Sequence, residues 1–177
     1  MPSPEFLAAV HARTARVAVG PSAVRGQGKG CAKAAREFFG VLDFGRFSTT
    51  SATAFCTMLD EVTQELQAAL KQSGSWGLSR KLLNIFLRDA LYTTYLKDAY
   101  ALNRIEAFLE IPLDSITAGH IKRGAGRGAL PAWPGVKHLQ RTLSDSLQSE
   151  AKAQAQLRGV ARIHLDTFWW GQRKSAA

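Results

Sequence analysis

Cysteine is scarce in this chain: Cys31 and Cys56 are the only two among 177 residues. Neither belongs to a Cys-x-x-Cys or Cys/His cluster, so no zinc-site spacing is present, and both read as buried thiols. No segment approaches the roughly 18 uninterrupted apolar residues of a membrane span, and a basic stretch followed by an apolar leader is missing. These absences fit a reducing cytoplasm and no membrane partner. There is also no alternating pattern of strand length, no internal repeat and no low-complexity tail, which leaves an all-α reading. Gly-x-Ser-x-Gly, His-Glu-x-x-His, the dinucleotide fingerprint and the Walker A terminus are all absent. Acidic residues are the minority charge, 14 against 23 lysines and arginines.

The resulting formal charge of +9 and isoelectric point near 10.0 make a polyanion the first partner to consider, because neutralising phosphates releases condensed counterions. With 46% apolar residues the chain is long enough for one sizeable core and short for two domains. A single helical domain is expected, and a monomer.

Helical periodicity organises the chain. Residues 4–19 read as a first helix ending at Gly20-Pro21, residues 32–42 as a second, and residues 51–70 as a longer third with Phe55, Met58, Leu59, Val62, Leu66 and Leu70 on one stripe. A turn around Gly74 and Gly77 leads to an amphipathic helix beginning close to Ser79. A short helix is expected over 103–109, another from Asp114 or Ser115 to His120, and two more over about 136–157 and 161–170. Residues 22–30 and 124–128 are basic, glycine-rich loops. Their backbone amides, with Arg25, Lys29 and Arg127, can approach an anion, although the ordinary reading of such a segment is a solvated loop.

Three segments offer chemistry. Lys81, expected in the first turn of its helix beside Arg80, meets the positive end of the helix dipole, which disfavours the ammonium form. A neutral amine is a competent Schiff-base nucleophile, whereas the plainer reading is a surface lysine contacting water or phosphate. Asp114 is either an N-cap or a carboxylate fixed to relay a proton and stabilise positive charge. Asp166 precedes Trp170 by one helical turn, so carboxylate and indole can share a face suited to a nucleobase's edge and plane, or simply to packing. Trp169 points elsewhere and reads as a core anchor. His120 and His164 complete no metal or triad pattern and read as structural.

In this order, Ser79-Arg80-Lys81-Leu82-Leu83-Asn84-Ile85-Phe86, Ile111-Pro112-Leu113-Asp114-Ser115 and His164-Leu165-Asp166-Thr167-Phe168-Trp169-Trp170 resemble the helix-hairpin-helix DNA glycosylase superfamily, most closely its archaeal 8-oxoguanine glycosylase branch. The resemblance covers about residues 74–171, leaving 1–73 as N-terminal helices and a basic loop. The Leu-Pro-Gly-x-Gly hairpin is absent, and Gly74-Ser75-Trp76-Gly77-Leu78 stands in its place. The resemblance implies a glycosylase and abasic-site lyase acting on double-stranded DNA that carries a lesion, 8-oxoguanine first among candidates, in association with the nucleoid. Lys81 would attack C1′ with Asp114 assisting. Asp166 and Trp170 would hold the flipped base, and Arg25, Lys29, Arg80 and Arg127 would grip phosphates. No metal or organic cofactor is required. A noncatalytic nucleic-acid-binding protein and a glycosylase-like interaction module are the competing readings.

Overall fold

Ser3 accepts a hydrogen bond from the Phe6 amide and Pro4 takes the first helical position, so the chain enters α1 (Pro4–Ala18) almost at once. The computed structural model describes residues 2–171, with side chains for 2–169. After α1 come α2 (Cys31–Gly40), α3 (Ala52–Ala69), α4 (Trp76–Tyr92), α5 (Thr94–Ala99), α6 (Ser115–Ala125), α7 (Arg141–Gln156) and α8 (Leu165–Gly171), joined by loops and single 3-10 turns. No strand occurs among the described residues, and the architecture is all-α as the periodicity implies.

Several boundaries differ from the sequence expectation for local reasons. The Ser75 hydroxyl accepts from the Leu78 amide, so α4 begins at Trp76 rather than near Ser79. Lys81 therefore lies in its second turn, where the dipole argument loses most of its force. The helix expected over 103–109 is instead a 3-10 turn, Leu102–Arg104, followed by further turns. Ala101 precedes it with a left-handed backbone, φ 50°, which a continuing helix does not admit. Likewise Gly135 at φ 87° leads into a 3-10 turn, Val136–His138, and α7 starts only at Arg141.

The apolar stripes assemble two clusters. The first joins α1 to α5 with residues 102–109, and α4 runs through it with Leu78, Leu82, Leu83, Phe86 and Leu87 essentially inaccessible. Phe86 is its hub, stacked on Phe39 at 4.5 Å and on Phe44 at 5.2 Å between ring centroids. Each such ring removed from water contributes about 1.5–3 kcal/mol. Cys31 is buried there, which pushes its thiol pKa up, whereas Cys56 is only half-buried. The second cluster gathers Ile111, Ile121, Leu147, Ala151, Leu165 and Trp169 from α6, α7, α8 and the segment before α6. Trp169 is the core anchor expected of it, stacked on His120 at 5.0 Å.

A buried polar layer lies between the clusters. The Arg80 guanidinium donates to both carboxylate oxygens of Glu110, at 2.8 and 3.2 Å, and to the Thr63 hydroxyl at 3.0 Å. It also pairs with Asp60 at 3.1 Å, and Asn84 donates to Glu110. Arg80 is thus sealed inside and cannot grip a phosphate. The expectation from sequence is corrected here, because a cation beside Lys81 turns about 100° away from it around the helix.

The glycines of residues 74–78 are used for contact within the protein. A Cβ on Gly74 would stand 2.4 Å from the Gln67 carbonyl oxygen, and one on Gly77 would stand 2.3 Å from the Val136 carbonyl oxygen and 2.7 Å from the Leu139 side chain. Gly77 therefore allows α4 to lie against residues 136–139. Gly77→Ala is expected to destabilise by about 1–3 kcal/mol, the usual cost of overpacking. Gly119→Ala in α6, where the nearest atom is the end of Arg123 at 3.5 Å, should instead gain up to about 1 kcal/mol. Urea denaturation of the two variants measures the difference, and equal effects would contradict the packing assignment.

Candidate active site

The chain leaves the first cluster at Glu110 and runs extended to Asp114, held from three sides. Gln148 on α7 accepts from the Ile111 amide at 3.1 Å and donates to the Ile111 carbonyl at 2.8 Å. Arg162 donates to the carbonyls of Leu109 and Phe108 at 2.9 and 2.8 Å. Arg80 holds Glu110. With so many bonds fixing its backbone, the segment delivers Asp114 to the start of α6 in a set position. There Asp114 Oδ1 accepts from the amides of Ile116 and Thr117 at 2.9 and 3.0 Å, and the Thr117 hydroxyl accepts from the Asp114 amide, completing a capping box. Both amide bonds fall on Oδ1, so the cap occupies one of the two carboxylate oxygens.

A cleft of about 840 Å³ opens beside this cap. One wall is α1 with the loop that follows it, including Arg13, Ala23 and Arg25. The floor is the α4 stripe Lys81, Ile85, Arg88 and Tyr92. The opposite wall contains Pro112, Asp114, Trp133, Val136 and Asp166. Lys81, Asp114 and Asp166, far apart in sequence, thus line a single cavity.

Lys81 Nζ donates to the Ala23 carbonyl at 3.2 Å. Burial pushes its pKa below the ordinary lysine value of 10.5, while the charges of Asp114 and Asp166 act in the opposite direction without cancelling it. The depressed amine anticipated from the helix dipole is present, but desolvation is its cause. Asp166 is buried and bonded to Arg88, which also grips Asp89 at 2.9 Å. Burial pushes the Asp89 pKa up from its ordinary value, with Arg88 opposing.

Of the other residues singled out from the sequence, Arg25 lines the cleft. Lys29 and Arg127 are exposed in their loops and do not line it. The Trp170 side chain lies outside the described residues, so its expected place beside Asp166 is not described. Asp166 does not present a bare carboxylate, since Arg88 engages its Oδ2. His120 stacks on Trp169, and His164 bonds to Tyr92 and Glu106.

Sequence reasoning missed Arg88, Asp89, Tyr92 and Trp133 as cleft residues. For Arg88 and Tyr92 a signal existed: residues 81, 85, 88 and 92 recur at one face of a helix. Trp133 sits in an irregular stretch rich in proline and glycine, with no period to betray it. Compared with known proteins, the chain matches no family model, no curated protein and no solved structure.

Because burial lowers the folded-state pKa of Lys81 below 10.5, the unfolded chain binds more protons between those two values. Stability contributed at this site therefore rises with pH through that window. Relative to Lys81→Met, the wild type should gain stability as pH approaches 10.5, measured by urea denaturation from pH 7 upward. A stability difference that is constant or moves against the wild type would contradict the burial assignment.

Proposed function

We propose that this protein is a DNA glycosylase and abasic-site lyase that uses Lys81 as its nucleophile. The observation that carries the reading is the convergence of a desolvated lysine amine with two carboxylates, Asp114 and Asp166, in one cleft on a strongly basic protein. The resemblance of the three segments to helix-hairpin-helix glycosylases supports the same assignment.

In this account a damaged or modified base, 8-oxoguanine first, leaves the stack and its nucleotide enters the cleft. The neutral Lys81 amine attacks C1′ as the N-glycosidic bond breaks, and the base departs with the bonding pair. Asp114 balances the positive charge that develops on the sugar and takes the proton shed by the attacking nitrogen, which the base then receives. Opening of the sugar ring gives the C1′ imine. O4′ takes the proton left on the Lys81 nitrogen as the ring opens, and Asp114, its own proton already passed to the base, accepts the C2′ proton as the 3′ phosphate is expelled by β-elimination. Arg25 and Arg13 meet phosphates at the rim, and the joined Arg88 and Asp166 present donor and acceptor atoms to the base. Each step uses groups of the chain itself.

Sodium borohydride trapping on abasic and 8-oxoguanine DNA tests the proposal. The wild type should form a covalent adduct, and Lys81→Gln should form none. Asp114→Asn keeps an N-cap side chain, so it should melt close to the wild type while trapping at least about 100-fold more slowly, the scale of a lost acid–base group. An adduct that persists in Lys81→Gln would remove the lysine from its role. Salt-sensitive DNA binding with no adduct on any substrate would favour the noncatalytic reading.

A further inference from the structure

Tyr92 stands at the far end of the α4 floor, with its ring about half exposed and lining the cleft. Its hydroxyl bonds to His164 Nδ1 at 2.8 Å and to Thr167 Oγ1 at 3.1 Å. His164 Nε2 in turn faces Glu106 Oε1 at 2.8 Å. An ionised carboxylate only accepts, so Glu106 fixes the proton on Nε2. In the neutral ring Nδ1 is then the acceptor, and Tyr92 donates to it. The imidazole also lies nearly parallel to the phenol, at 12° and 5.6 Å between centroids. Three side chains from two other parts of the fold thus hold the orientation of an aromatic ring that the core does not bury. A ring immobilised while still open to solvent is preorganised for contact with something else.

The spacing says what that partner is. From Lys81 to Tyr92 the helix advances about 16 Å at 1.5 Å per residue, well beyond the reach of one base and its sugar. Arg13 and Arg25 line the same cleft and supply guanidinium groups for a phosphate backbone, whereas Arg88, on the floor between Lys81 and Tyr92, is held by Asp89 and Asp166. Cationic groups that follow a backbone, combined with a fixed aromatic face, are the elements of a single-strand site.

We propose that Tyr92 is the stacking platform for a second, unpaired base on the same DNA strand as the nucleotide engaged at Lys81. The substrate class is then DNA whose strand is unpaired over more than the reacting nucleotide, as in a bubble, a strand end or a single strand. This inference rests on the nucleic-acid reading given above, but it concerns binding and not chemistry.

The test uses single-stranded oligonucleotides carrying a tetrahydrofuran abasic analogue, which cannot form an imine, with 2-aminopurine placed one, two or three nucleotides away on either side. Wild type should quench 2-aminopurine at one of these positions, and Tyr92→Leu should abolish that quench and weaken binding roughly 5- to 150-fold, the range for one lost base stack. Tyr92→Phe, which keeps the ring, should retain most of both. A quench map and affinity unchanged in Tyr92→Leu would overturn the proposal, as would an absence of binding by the wild type. Because the analogue is inert, Tyr92-dependent quenching without borohydride trapping on true abasic DNA would remove the glycosylase reading and leave the platform. Trapping with no Tyr92 dependence would do the reverse.

Discussion

Arg80 and its carboxylates are the interaction on which the arrangement of this protein depends. A guanidinium that is only 4% exposed is tolerated because Glu110 receives two of its nitrogens in a two-pronged bond, while Asp60 and Thr63 take the third. Removing one partner from such a node leaves an uncompensated buried charge, typically at a cost of about 3–5 kcal/mol. The node ties α3, α4 and the start of the extended segment that ends in Asp114, and Arg141 on α7 reaches the same Asp60. Asp114 is therefore placed by a chain of bonds that begins in the protein interior. Gln148 and Arg162 complete the restraint by taking backbone groups that an irregular buried segment would otherwise leave unpaired.

Adjacent residues of α4 do opposite work. Arg80 turns inward and is neutralised, while Lys81, one position on, turns to the cleft and is desolvated without being fully compensated. The difference is one of surroundings. Arg80 has carboxylates within bonding distance, whereas Lys81 donates to a carbonyl and feels Asp114 and Asp166 only through space. The same helix thereby pairs one cation with carboxylates in the interior and lowers the pKa of its neighbour by burial.

Much of this was legible in the sequence, and the omissions have physical causes. The stripes of α3 and α4 and the cap at Asp114 are local, and local rules found them. Trp169 is the anchor its helical position implies, and residues 81, 114 and 166, grouped by the resemblance alone, line one cleft, while the Trp170 side chain expected with them lies outside the described residues. Arg80 was misread because its partners Asp60 and Glu110 lie 20 and 30 positions away, and nothing local distinguishes a buried arginine from a phosphate-binding one. The depressed lysine was expected for a different reason: a helix start three residues earlier removes the dipole and leaves desolvation. Tyr92 was passed over because its significance lies in His164 and Glu106, which reach it only after folding. Glycines 74 and 77 looked like a substitute DNA-binding hairpin, yet each is required by a carbonyl of the protein itself.

The central claim is that the reactive amine of this protein is the one at residue 81. Mass spectrometry of the borohydride-reduced adduct, after digestion, locates the deoxyribose remnant directly. The account predicts that it lies on the peptide containing Lys81 and on that lysine's Nζ. A remnant on the N-terminal amine or on any other lysine would contradict it.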